Sequence, residues 1–312
     1  MSAAPLSVLD LLIRAPEEPT WQSLAEAWAA YERARAEGRS PFEAAVDVAA
    51  HADRLGQAFG VGYPAALERL VPGVGLPCAL CATEKAGNAP RAIAATLEAD
   101  AAGYRLRGEK SFVTFGTLAK TLLVVARVGE QPDGRPDLAV VRLPSDRAGI
   151  EVEPLPPTKF VPEITHARLA LANVEVRPEE RLPGDGYLRY LKPFRTIEDV
   201  HVVGATLAYV IGWARRTKTA ESLVADLSAQ LLTLAALADA EPLDPRTHLV
   251  LHGCYASFSE VAGGPGLSEL LEAASNDERS RWMRDRALLQ VAATAGEARF
   301  EAALRSLGLR TE

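Results

Sequence analysis

The chain has 312 residues, a net charge of −7, 48% hydrophobic residues and only 6% aromatic ones. That length predicts two or three domains, and a core of Ala, Leu and Val favours helical packing over an all-β sandwich. The acidic balance argues against a nucleic-acid surface, no apolar run of about 18 residues predicts a membrane span, and no secretion signal opens the chain. The expectation is a soluble cytoplasmic protein.

Residues 1–75 read as helical. Trp21, Leu24, Ala25, Trp28 and Tyr31 recur at steps of three and four, which places them on one face of a helix that Gly38 ends. Ser40-Pro41-Phe42-Glu43 then supplies an N-cap, a proline at the first helical position and a Glu that completes a capping box. The helix it opens carries Phe42, Ala45, Val46, Val48, Ala49 and Leu55. A third helix is expected from Pro64 to Leu70, stopped by Val71-Pro72-Gly73.

Residues 76–187 change to period two. Strands are expected around 96–100 and 104–108, joined by the turn Ala101-Ala102-Gly103. Further strands fall at 121–127 and 138–143, around the turn-rich Gln131-Pro-Asp-Gly-Arg-Pro136, and at 150–154 and 168–176. The pattern predicts an antiparallel meander of about six strands, a small barrel or folded sheet. Cys78 and Cys81 at its entry have the spacing of a redox dithiol or half a zinc site. No second such pair follows, Cys254 is distant, and His248 and His252 lie far along the chain, so the pair reads as buried strand residues and no metal is expected.

Residues 188–312 return to period 3.6, with helices expected at 193–216, 221–238, 246–261 and 277–307. Short connections make this an antiparallel four-helix bundle. Arg279, Arg281, Arg284 and Arg286 alternate with Asp277, Glu278 and Asp285, the pattern of a solvated face. The fold class is therefore a multidomain α+β chain: N-terminal helices, a central antiparallel β domain and a C-terminal bundle.

Two motifs inside that order carry a resemblance. Thr83-Glu84, with Gly87 and Asn88, resembles the Thr-Glu-Pro-Gly-x-Gly-Ser segment of the acyl-CoA dehydrogenase family. Gly108-Glu109-Lys110-Ser111-Phe112-Val113-Thr114 resembles that family's Gly-x-Lys-x-Trp/Phe-Ile-Thr strand. Val174-Glu-Val176-Arg-Pro178 and Leu182-Pro-Gly184 resemble the exit from its β domain.

The resemblance implies an FAD cofactor and α,β-desaturation of an acyl thioester, most naturally acyl-CoA, by a homodimer or homotetramer; it leaves the electron acceptor unassigned. It places Leu80, Ala82 and Thr83 at the pyrimidine edge of the flavin and Phe112, Val113 and Thr114 against its other side. Asn88 stands where the family has a Ser near the thioester ligand. A flat ring with a polar edge calls for such backbone donors, a short rim hydroxyl and an apolar wall.

The family's late-helix catalytic Glu has no counterpart, because Ala293 stands at or near its place. The family's other base position, on the first bundle helix, falls on Glu198, with Asp199 as the fallback; Arg195 and His201 are expected on the same helix face. A buried Glu–Arg pair of purely structural purpose is the rival for Glu198. The family's Arg-x-x-Phe-Gly segment, which grips the flavin pyrophosphate, survives only as Arg216-Thr-Lys-Thr-Ala220. Its Gln-x-x-Gly-Gly-x-Gly segment, at a subunit contact, appears as Glu260-Val-Ala-Gly263-Gly264-Pro-Gly266. Two other readings stay open: a scaffold that kept the fold and lost the chemistry, and a flavin monooxygenase.

Overall fold

The structure, a computed structural model, describes residues 7–13, 21–290 and 293–310. The chain divides into two compact units: Met1–Arg69 with Lys159–Val161 and Thr196–Glu312, and Leu70–Thr158 with Pro162–Arg195.

The helical unit begins with α1 (Ser7–Ile13), α2 (Leu24–Ala36), α3 (Pro41–Ala50) and α4 (Leu55–Leu70). The capping box at Ser40 and Glu43 is present and opens α3. The helix expected at Pro64 instead starts nine residues earlier and holds that proline in its interior. A proline there has no N–H to give the carbonyl four residues back. That carbonyl belongs to Gly60, and the Trp28 indole on α2 supplies the missing donor at 2.7 Å. The break is thus repaired from another helix, which no local rule reveals.

The remaining helices are α5 (Lys192–Thr217), α6 (Glu221–Ala238), α7 (Pro245–Ala262), α8 (Pro265–Ala273), α9 (Asn276–Asp285) and α10 (Ala293–Ser306). A π-type turn, Tyr187–Leu191, leads into α5. Gly62 lets α4 approach α5 closely: a Cβ there would lie 2.9 Å from Val202 Cα.

The helix expected over 277–307 is in fact α9, a 3₁₀ turn at Arg286–Gln290 and α10, and α8 adds a helix that was not foreseen. Six helices among the described residues therefore replace the expected four. Both additions carry local signals. Ser275 and Glu278 form a capping box for α9, and Gly264 with Pro265 opens α8. α6 is long and apolar enough by composition to cross a bilayer, with mean hydropathy 1.3, where no such run was expected. Its leucine stripe (Leu223, Leu227, Leu231 and Leu234) is buried in the helical unit.

The β unit is one seven-stranded sheet: β1 (Cys78–Cys81), β2 (Thr96–Asp100), β3 (Gly103–Thr114), β4 (Thr121–Glu130), β5 (Pro136–Pro144), β6 (Ile150–Pro154) and β7 (His166–Val176). The order is β1-β4-β2-β3-β7-β6, with β5 also paired to β4. The sheet is mixed rather than antiparallel. β1 runs parallel to β4, pairing Cys78 with Thr121 and Cys81 with Val124, and β2 joins β4 in parallel at Thr96 and Arg127. Period two says which residues share a face but not which strand lies alongside or in which direction. The expected hairpin is present, with Asp100 opposite Gly103. Leu106, Leu122, Val124, Val141, Leu169 and Val174 centre the core of this unit.

Candidate functional site

The two motifs meet in the β unit. β1 carries Leu80 into the sheet, Ala82 follows it, and both are buried. Thr83, half-buried, accepts the Ser111 N–H at its carbonyl at 2.9 Å, and the Ser111 hydroxyl reaches the same oxygen at 3.4 Å. The rim segment and the β3 segment are therefore stitched edge to edge. Glu84 and Gly87 close a tight turn by exchanging backbone hydrogen bonds at 2.9 Å each. Gly87, at φ +112°, holds a conformation that L side chains rarely adopt. Asn88 follows on the surface, exposed.

Behind this turn lies an ion pair that the sequence reading missed. Lys110 is wholly buried; its Nζ donates to Glu84 Oε1 at 2.6 Å and to the Val125 carbonyl at 2.7 Å. The Glu84 carboxylate also accepts the N–H groups of Ala94 and Ala95 at 2.8 and 3.1 Å. Val125 sits on β4 between Val124, which pairs β1, and Arg127, which pairs β2. Lys110 thus gives a donor to β4 where one neighbouring strand has ended and the next has not begun. Burial pushes the Lys110 ammonium pKa down, and the Glu84 carboxylate opposes that. The signal was present as the Glu and Lys of the two motifs; only the fold brings them together.

On β3 the side chains alternate. Phe112 is 43% exposed, Val113 is 0% exposed, and Thr114 is half-buried. The Val113 side chain therefore belongs to the sheet core, while Phe112 and Thr114 are the more open residues on either side of it. His166, at the start of β7 and opposite Thr114, stacks on Phe112 with ring centroids 4.2 Å apart and planes 28° apart. It too was missed, and nothing in its sequence context marks it.

Cys78 and Cys81 are buried strand residues. Three apart on a strand, they face opposite sides of the sheet. Burial pushes the Cys81 thiol up to about 12, only partly offset by Lys110.

In the helical unit, Glu198 is half-buried on α5, and Asp199 beside it is buried. The Asp199 carboxylate pairs with Arg299 of α10 and is hydrogen-bonded to Tyr255 of α7. Burial first, then Asp199, and also Glu198, hold the Tyr255 phenol well above its usual range. Arg195, half-buried, is three residues before Glu198 on the same helix.

His201 does not share that face as expected. It is 1% exposed, its Nδ1 donates to the Ile197 carbonyl at 2.8 Å, and its ring meets Phe42 edge-on at 5.6 Å. Burial pushes its pKa down to about 4, so it is a neutral core histidine.

Arg216 donates to the carbonyls of Ala50 and Ala52 at 2.9 and 2.8 Å and so caps the end of α3. Gly263 and Gly264 form the C-cap of α7 and the N-cap of α8. Ala293 begins α10, and its side chain lies outside the described residues.

Residues 78–174 match the family model of the acyl-CoA dehydrogenase middle domain. No curated protein sequence matches the chain. Among solved structures, one titled FAD-dependent dehydrogenase is 14% identical, covering 97% of this chain and 98% of its own, with a TM-score of 0.72. The prolyl acyl carrier protein oxidase AnaB is 17% identical over 91% of this chain and 89% of its own, with a TM-score of 0.65. Butyryl-CoA dehydrogenase from Megasphaera elsdenii is 16% identical over 97% and 89%, with a TM-score of 0.61. N-terminal helices, a central mixed sheet and C-terminal helices define the acyl-CoA dehydrogenase fold. The chain has this fold, and residues 78–174 match that family's middle domain.

Proposed function

We propose that this protein is a flavin-dependent oxidoreductase that introduces an α,β double bond into an acyl thioester. The observation that carries the reading is the join between rim and wall. The Thr83 carbonyl bonded to Ser111 holds a half-buried threonine next to the strand whose exposed Phe112 stands out from the sheet. A flavin ring fits such a face, with Thr83 and the backbone of Leu80 and Ala82 at its polar edge and Phe112 and Thr114 at its plane. Val113 supports that wall from the core. When bound, FAD supplies the acceptor for the hydride that leaves Cβ.

The protein's own task is the proton. Glu198 takes the proton from Cα onto a carboxylate oxygen. Glu198 is half-buried on α5, while Asp199 beside it is buried, pairs with Arg299 and is hydrogen-bonded to Tyr255. Arg195, one turn earlier, and Asn88, on the surface after the rim turn, are the proposed substrate contacts. The thioester is read as acyl-CoA, with an acyl-carrier-protein thioester as the alternative, in a cytoplasmic homo-oligomer.

Purified protein tests this directly. A yellow protein whose flavin is bleached by acyl-CoA, and a Glu198→Gln variant that keeps the flavin but loses bleaching, support the reading. A colourless chain that cannot be reconstituted with FAD sinks it. That outcome would support a second reading, a scaffold on the same fold, which the occupied guanidinium of Arg216 favours.

A further inference from the structure

Three departures from ordinary packing converge where β3 ends and β7 begins. Phe112 leaves 43% of its surface open although Val113 and Phe115 beside it are fully buried. The register of β3 on β7 shifts between Lys110 and Val113, so Phe112 lies outside the regular ladder. Second, His166 is only 8% exposed, yet its Nδ1 is buried with no hydrogen-bond partner. Third, Phe115 takes φ +60°, a left-handed conformation rare for an aromatic residue.

Each departure is costly, and each is held in place. The Phe115 N–H and the Thr117 hydroxyl donate to the Thr165 carbonyl and hydroxyl, both at 2.7 Å. Leu155 N–H donates to the His166 carbonyl at 2.9 Å. The first residues of β7 are thereby tied down from both sides, and the imidazole has a defined place beneath Phe112.

A phenylalanine at 166 would fill that place without stranding a nitrogen. Irregularities that the surrounding fold sustains cluster at functional sites. A flat ring under Phe112 does what an aliphatic side chain does not: it fixes the plane of the phenyl ring as well as its position. Burial also holds the imidazole pKa below its usual value, opposed by the Ile164 carbonyl, so the supporting ring is uncharged at neutral pH.

We propose that His166 is a positioning residue for the flavin: stacked beneath Phe112, it keeps that ring raised from the sheet as a platform on which the flavin ring stacks. This rests on the flavin reading above. His166 acts through Phe112 and does not itself touch the cofactor.

The test is FAD titration of the wild-type protein and of the His166→Ala, His166→Phe and His166→Leu variants, followed by quenching of FAD fluorescence. Thermal melting of the flavin-free proteins is recorded alongside. One well-placed aromatic stack corresponds to a change of about three- to tenfold in affinity. His166→Ala is expected to weaken FAD binding by that factor. His166→Phe is expected to keep wild-type affinity, because it supplies the same flat ring. His166→Leu, which fills the space without a flat ring, covers the case in which the alanine variant fails to fold, and is expected to lose affinity while melting cooperatively. Wild-type affinity in the alanine or leucine variant, or equal loss in the phenylalanine variant, overturns the proposal while leaving the flavin reading intact. Failure of the wild-type protein to bind FAD overturns both.

Discussion

Lys110 places its ammonium 2.6 Å from the Glu84 carboxylate, with the Lys side chain 0% and the Glu side chain 8% exposed. The two residues come from separate motifs and tie the rim turn, the start of β2 and the middle of β4 into one piece. Removing one partner of a buried pair leaves an uncompensated charge, which costs about 3–5 kcal/mol. Lys110→Met is therefore expected to lower the unfolding free energy by that order, measured by urea titration. Adding Glu84→Gln should recover part of the loss; additive losses in the double variant would mean that the pair does not act as a unit.

Trp28 and Pro64 form a second coupled pair, although they do not bond to each other. The indole N–H satisfies Gly60 only because Pro64 has none to give. Trp28→Phe strands that carbonyl at a cost of about 1–3 kcal/mol. Pro64→Ala restores a backbone donor, so it should be more favourable in the Trp28→Phe background than in the wild type. A double-mutant cycle in denaturant shows whether the two effects couple.

His201 gives the protein an acid-sensitive core. Its folded pKa of about 4 lies below the unfolded value near 6.5, so the unfolded chain binds the proton more readily. The contribution of this residue to stability is complete above about pH 6.5 and is lost as pH falls towards about 4, a swing on the order of 3 kcal/mol. His201→Phe should flatten the pH dependence of the melting temperature across that window. An unchanged slope would assign the acid sensitivity to other groups.

Arg216 separates two roles that the sequence alone confuses. As a cap on α3, its loss costs about 1.5–3 kcal/mol for hydrogen bonds from a charged donor. Arg216→Ala is thus expected to melt earlier but to keep FAD affinity in a fluorescence titration. A large loss of affinity at unchanged stability would return this residue to the pyrophosphate role.

Much of this molecule was legible in its sequence because the signals are local. The Ser40–Glu43 capping box, the Gly103 hairpin and the extent of α6 follow from residues a few positions apart, and the structure realises each. The capping box at Ser275 was equally legible and marks the break that divides the last helical stretch. The paired motifs around Thr83 and Phe112 located the candidate site, and both lie inside the stretch that matches the acyl-CoA dehydrogenase middle domain.

The sequence by itself determined the periodicities, the caps and the motif residues, all properties of neighbouring positions. Only the tertiary structure decided that β1 lies parallel on β4, that Lys110 serves Glu84 and Val125, that His166 supports Phe112, that His201 is buried and that Arg216 caps a helix. Those outcomes depend on which distant groups share a low-dielectric interior. There an unpaired donor or acceptor takes whatever partner the packing brings within about 3 Å, and no local pattern encodes that partner.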